Sequence, residues 1–173
     1  MTKRARATGA TYVERLLTEL GQQDPMKILP ETPRKLEHAV AGLSDAAVRK
    51  PEAPGKWSVL HVVQHLADSE LVCGYRMRMI VSHPTPEIQG FDQDLWAGEL
   101  GYEERKPAEA LAEFRSLRQS NLQLLGLLGP EKRRRYGHHS ERGEESVDKM
   151  IKLYAAHDLV HLKQIDRIKA AVR

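Results

Sequence analysis

Four segments of the chain repeat apolar residues every three or four positions, and this repeat is the feature that most limits the fold. A repeat of about 3.6 residues is typical of amphipathic helices that bury one face. No stretch of useful length alternates apolar and polar residues as a strand does. Because four such helices bury their apolar faces best against one another, the sequence predicts an all-α protein that folds as a four-helix bundle. The segments cover residues 28–43, 57–80, 107–128 and 146–168.

The boundaries of these helices are marked by proline, glycine and capping residues. The first helix is expected to begin between residues 28 and 33, and Ser58 is expected to cap the second. A long connection over residues 82–106 joins the second and third helices, and connections of this length are usually functional or disordered. We expect it to pack on the body and to cover the mouth of a site. The polar segment 131–145 is expected to form an irregular turn or a small hairpin.

The length of 173 residues allows one well-buried core. We therefore predict a single bundle domain over residues 28–173. Residues 1–27 are predicted to form an N-terminal arm with a short helix at 12–20.

Two histidines in the last segment, His157 and His161, are four residues apart. On a helix this spacing places both side chains on one face, within reach of a single ion. They lie within or beside the apolar stripe, so they should point inward. A lone inward histidine is usually a hydrogen-bonded core residue, and the pair leaves core packing and metal binding equally open. A metal site needs at least three protein ligands, and His65 of the second segment is the candidate for the third.

Charged residues near these histidines have less specific interpretations. Asp158 stands where metalloproteases of the His-Glu-x-x-His type carry the glutamate base, so a protease is not expected. We predict that Asp158 lies on the surface or beside the metal ligands. Asp68 and Glu70 could orient a ligand histidine, but helix-surface carboxylates are the preferred interpretation. Arg118 is assigned to the polar face of the third helix. Substrate contacts are expected in the loop 92–96 or among Arg76, Arg78, His138 and His139, with no single residue preferred.

The charge and cysteine content limit the choice of partners and compartment. The chain has 27 basic and 24 acidic residues, a formal net charge of +3 and a pI of about 9.0. This small, dispersed excess does not favour nucleic acid, and the basic run 132–135 is predicted to be a solvated loop. One cysteine, Cys73, excludes an internal disulfide. With no signal peptide or membrane span in the sequence, we predict a soluble cytoplasmic protein.

Several of these motifs together resemble the DinB/YfiT family. The likeness runs from about residue 30 to the C-terminus. It is carried by Trp57-Ser58, Gln64-His65-Leu66-Ala67-Asp68-Ser69, Phe91-Asp92-Gln93-Asp94-Leu95-Trp96-Ala97 and the pair His157 and His161. The resemblance implies an up-down-down-up bundle, often a homodimer. It also implies one zinc or nickel ion held by three histidines, which match His65, His157 and His161.

The resemblance also implies an activity. Family members include metal-dependent hydrolases and bacillithiol S-transferases, so we expect an enzyme whose metal activates a low-molecular-weight thiol to attack a small electrophile. Two alternatives stay open. The same ion could activate water for hydrolysis, or the protein could be a non-catalytic, stress-related metal-binding dimer.

Overall fold

The computed structural model describes residues 9–172, which form eight helices of four or more residues and three short strands. The elements are α1 Gly9–Leu20, α2 Pro25–Val40, α3 Asp45–Arg49, α4 Val59–Ser82, β1 Glu87–Ile88, α5 Gln93–Glu99, α6 Pro107–Leu127, α7 Pro130–Arg134, β2 Tyr136–His139, β3 Gly143–Ser146 and α8 Val147–Val172. The four-helix bundle predicted from the sequence is confirmed, and its long helices are α2, α4, α6 and α8.

Helices α4 and α6 run parallel to each other. Near their starts Gln64 donates to Glu113 (3.1 Å), and near their ends Arg78 donates to Asn121 (3.3 Å). Two parallel helices cannot be joined by a tight turn, because the chain must return along the full length of the bundle. The long connection between residues 82 and 107 makes this return.

The other two long helices run antiparallel to this pair. The backbone oxygen of Leu29 and the carboxylate of Glu37 on α2 accept from Arg118 and Arg115 on α6, so sequence numbers rise in opposite directions. The first half of α4 shares an apolar cluster with the end of α8, and its second half shares one with the start of α8. These directions confirm the up-down-down-up topology.

Local sequence signals fix where the helices begin. Ser58 caps α4, as predicted, by accepting from the backbone N–H of His61 (3.3 Å). The prediction for α2 was three residues late. Asp24 caps this helix by accepting from the N–H of Met26 (2.9 Å), and Pro25 occupies the first turn, where no N–H is needed.

A small three-stranded sheet closes one side of the bundle. Strand β2 pairs parallel with β1 and antiparallel with β3, so the hairpin expected within residues 131–145 is confirmed. At Gly137 a Cβ atom would lie 2.6 Å from the backbone oxygen of Pro86, so only glycine allows this close approach. The prediction of a loop at 132–135 was wrong for its first three residues, which lie in helix α7.

The N-terminal helix α1 is part of the packed body. Its Leu16 and Leu20 are buried in a core cluster that includes residues of α4 and α8. Residues 1–8 of the predicted arm lie outside the described residues, and the domain boundary at residue 28 stays a prediction. Within the described helices, none combines the length and apolarity that a membrane crossing requires.

A buried ionic network crosses the core of the bundle. The guanidinium of Arg118 donates to both oxygens of Asp158 (2.7 and 2.9 Å) and to Glu70 (2.9 Å). Thr32 of α2 donates to Asp158 (2.7 Å) as well, and Asn121 donates to Glu70 (2.9 Å). All four long helices therefore contribute to one network.

This network overturns several predictions of exposure. Arg118 and Glu70 are 2% and 3% exposed, so they do not lie on the helix surface. Asp158 is 1% exposed, which excludes the surface alternative and leaves the predicted position beside the metal ligands. Asp68 is also buried and accepts from the hydroxyl of Tyr102. The apolar repeat did not reveal these residues, because the polar partners of each one include a residue distant in the sequence.

Substitution of Arg118 should strongly destabilise the fold. Arg118→Met keeps the side-chain volume but leaves two buried carboxylates without their cation, which typically costs about 3–5 kcal/mol. Urea unfolding followed by circular dichroism measures this loss. The matched control is Arg34→Met, which removes an exposed pair with Glu31 and should leave the unfolding free energy almost unchanged. Equal unfolding free energies for the two variants would contradict the role assigned to Arg118.

Candidate metal centre

Three histidine rings meet where α4 and α8 face each other. The Nε2 atom of His157 lies 3.1 Å from Nε2 of His65 and 3.0 Å from Nε2 of His161. The three ligand atoms all lie within 4.8 Å of one another. Residues from two distant parts of the sequence are thus brought together as predicted.

The geometry of these nitrogens fits a single divalent ion. Nitrogens bound about 2.0–2.1 Å from one metal lie roughly 2.9–3.4 Å apart at octahedral or tetrahedral angles. The observed separations of 3.0 and 3.1 Å fall in this range. Neutral rings cannot satisfy three converging nitrogen lone pairs among themselves, whereas a cation at the centre satisfies all three.

A neighbouring amide fixes the protonation of one ring. Nδ1 of His161 donates to Oε1 of Gln164 (2.8 Å), so the neutral ring presents an unprotonated Nε2 to the other histidines. Gln164 lies one helical turn after His161. Gln164 was not predicted as a site residue, although its three-residue spacing from His161 already places the two side chains on one helix face.

The histidines are kept neutral by burial. Desolvation lowers the pKa of His65 and His157 well below the ordinary value, and the neighbouring histidines lower it further. Desolvation also lowers the pKa of His161 to about 4, although the Gln164 hydrogen bond acts in the opposite direction. Neutral imidazole is the form that binds metals, so protons compete weakly for this site near pH 7.

Two of the three histidines line a pocket of about 620 Å³. His65 and His157 form part of its wall together with Leu153 and Tyr154 of α8, and His161 lies behind them, outside the lining. No fourth His, Cys, Asp or Glu joins the group among residues 9–172. One side of the histidine cluster therefore faces space that a small molecule can enter.

The predicted substrate residues are partly in this pocket. Arg76 and His139 line it, whereas Arg78 and His138 do not. The long connection contributes Phe91 and three neighbouring residues, so it does border the site as expected.

Two walls of the pocket were missed at the sequence level. Tyr12, Arg15 and Leu16 come from α1, and Glu141 and Arg142 come from the β2–β3 turn. Nothing in their local sequence distinguishes them, because they reach the pocket only through the packing of α1 and of the hairpin.

The fold and this geometry define a four-helix bundle with a three-histidine candidate metal centre beside an open pocket. The chain belongs to the DinB superfamily, whose family model matches residues 28–165.

Curated relatives carry names that agree with this class. One is the "Putative metal-dependent hydrolase YfiT" of Bacillus subtilis, 28% identical over 144 residues that cover 83% of this chain and 81% of the relative. Another is the "Putative metal-dependent hydrolase OB0782" of Oceanobacillus iheyensis, 32% identical over 138 residues that cover 79% of each chain.

A solved structure shares the architecture. It is that of YfiT from Bacillus subtilis, described as a probable metal-dependent hydrolase with an unusual four-helix bundle topology. It superposes with a TM-score of 0.72 at 23% identity and covers 96% of this chain and 92% of its own. This likeness supports the bundle fold.

Removal of one candidate ligand should abolish metal binding. Purified protein loaded with zinc or nickel and then desalted should retain about one ion per chain, and His161→Ala should retain less than about a tenth of that. The control is His83→Ala, which removes an exposed histidine at the end of α4. Metal content is measured by inductively coupled plasma mass spectrometry. Equal content in His161→Ala and wild type would show that His161 is not a ligand.

The metal-free protein should lose stability as the pH falls below 6.5. The unfolded chain takes up protons near pH 6.5, but folded His161 does so only near pH 4, so acid favours unfolding in this window. Each such histidine contributes a slope of up to about 1.4 kcal/mol per pH unit. Urea unfolding between pH 5.0 and 6.5 in the presence of chelator measures the slope. His161→Gln should reduce it, and an unchanged slope would contradict the assignment.

Proposed function

We propose that this protein is a metal-dependent enzyme that transfers a low-molecular-weight thiol to a small electrophile. The observation that carries the proposal is the convergence of three histidine nitrogens beside an open pocket that His65 and His157 line. A structural metal site is usually closed by four protein ligands, whereas a catalytic site usually keeps a position open.

The residues of the chain have distinct roles in this proposal. His65, His157 and His161 would hold the ion, and Gln164 keeps one of them in the tautomer that binds. A bound divalent ion would supply a positive charge that lowers the pKa of a thiol or of water. The pocket beside the histidines has room for a substrate next to the ion.

The nucleophile is expected to come from outside the chain. Cys73 is buried between the helices, and desolvation raises the pKa of its thiol well above the ordinary value, so it is not a reactive thiolate. A pocket of about 620 Å³ has room for a small thiol and an electrophile side by side. These features support thiol transfer, as does the family resemblance.

Hydrolysis is the second candidate, and the names of the relatives favour it. The same three histidines would serve it, with water in place of the thiol. A non-catalytic metal-binding module is a third reading, which the open pocket disfavours. We also propose a homodimer, on the family resemblance alone.

The two catalytic candidates differ in their need for a thiol. The assay uses metal-replete protein and follows the consumption of the electrophile monobromobimane. Without a thiol, the protein should give no acceleration. With bacillithiol or another small thiol present, the protein should consume monobromobimane at least about tenfold faster than the uncatalysed reaction does. His161→Ala should lose this acceleration and His83→Ala should keep it. Equal consumption with and without thiol would support hydrolysis. No acceleration by wild type with any thiol or with water would support the non-catalytic module.

A further inference from the structure

Two buried side chains in the pocket wall carry hydrogen-bond donors that the protein leaves available. They are Arg76 on α4 and His139 at the end of β2, which are 4% and 3% exposed. Both line the same pocket as His65 and His157. Neither is needed to hold the ion.

His139 presents a donor without an acceptor. Its Nδ1 accepts the backbone N–H of Glu141 (3.1 Å), so the neutral ring carries its proton on Nε2. This Nε2 is buried and has no hydrogen-bond partner among residues 9–172. A buried donor left unpaired costs free energy, and in a pocket wall it indicates an acceptor on a ligand.

Arg76 supplies a fixed positive charge nearby. Its Nη2 donates to the backbone oxygen of Gln89 (2.5 Å), and its guanidinium lies 6.0 Å from the centre of the Phe91 ring. Within the described part of the chain this is its one protein hydrogen bond, so most of its five N–H donors are unused. Desolvation, and then the charges of Arg142 and Arg76, lower the pKa of His139 to about 4 and so keep that ring neutral.

The other charges at the pocket do not cancel this pair. Arg142 is bonded through both Nε and Nη2 to the buried carboxylate of Glu145 (2.6 and 2.8 Å). The carboxylates of Asp94 and Glu141 belong to exposed residues at the rim, where water screens them. Arg76 has no carboxylate bonded to it among residues 9–172, so its charge faces the pocket uncompensated.

We propose that Arg76 and His139 form a subsite for a carboxylate carried by one of the two small-molecule substrates. A carboxylate has two oxygens that accept from a guanidinium and from a neutral imidazole N–H at the same time. The subsite would hold a substrate by its anionic end while its reacting group lies at the three histidines. This inference rests on the proposed function for the identity of the substrate, but the binding itself needs no turnover.

Matched ligand pairs test the subsite by binding alone. The thiol pair is 3-mercaptopropionate with 3-mercaptopropionamide, and the electrophile pair is 4-chloro-3-nitrobenzoate with its amide. Each compound is titrated separately into metal-replete protein by isothermal titration calorimetry. At least one carboxylate should bind tenfold or more tightly than its amide. The thiol pair or the electrophile pair that shows this preference identifies which substrate carries the anion.

Variants then assign the preference to the two residues. Arg76→Met should remove the preference, so that the carboxylate and its amide bind with about equal Kd. The Kd of the amide should stay within about twofold of its wild-type value. Arg34→Met makes the same charge change far from the pocket and should leave the preference intact. If Arg76→Met does not fold, His139→Asn keeps a polar side chain but shortens it, and should reduce the preference at least threefold.

The outcomes separate this subsite from the catalytic proposal. The subsite would be overturned if wild type bound each acid and its amide equally. It would also be overturned if the folded pocket variants kept the full preference for the carboxylate over the amide. A carboxylate preference without any turnover would support the subsite and contradict the enzyme.

Discussion

The buried guanidinium of Arg118 is the interaction on which the arrangement of this bundle depends. It joins α6 to a carboxylate on each of the two helices that carry the histidines, Glu70 on α4 and Asp158 on α8. A charge in the core is tolerated only when its partners are in place, because desolvation costs several kcal/mol for each unpaired ion. A shift of one of these helices along another would separate the charges, so the ionic network favours one register of α4, α6 and α8.

This register also sets the candidate metal centre. Asp158 follows His157 directly, so pairing Asp158 with Arg118 fixes the rotation of α8 and turns His157 and His161 toward His65. Glu70 lies a little more than one helical turn after His65, and its pairing with Arg118 fixes the rotation of α4 in the same way. The ionic network thus supports the precise placement that three ligands of one ion require. Burial keeps the rings neutral, and the open side of the cluster leaves room for chemistry.

The sequence predicted the bundle because apolar periodicity depends only on neighbours along one helix. It predicted the histidine pair for the same reason, since a four-residue spacing already places two rings on one face. It misplaced Asp68, Glu70 and Arg118, because a buried charge looks like a surface charge until its partner on another helix is known. The pocket walls from α1 and from the hairpin were missed on similar grounds. The positions of these walls depend on contacts between residues distant in the sequence, which a local sequence pattern does not predict.

X-ray absorption spectroscopy of the metal-loaded protein reports the atoms around the ion, so it tests whether the three histidines bind it. We expect three imidazole nitrogens at about 2.0–2.1 Å together with at least one ligand that exchanges when a small thiol is added. Such exchange would appear as a new metal–sulfur distance of about 2.3 Å. A shell without three imidazoles, or one closed by a fourth protein ligand that thiol does not displace, would contradict this expectation.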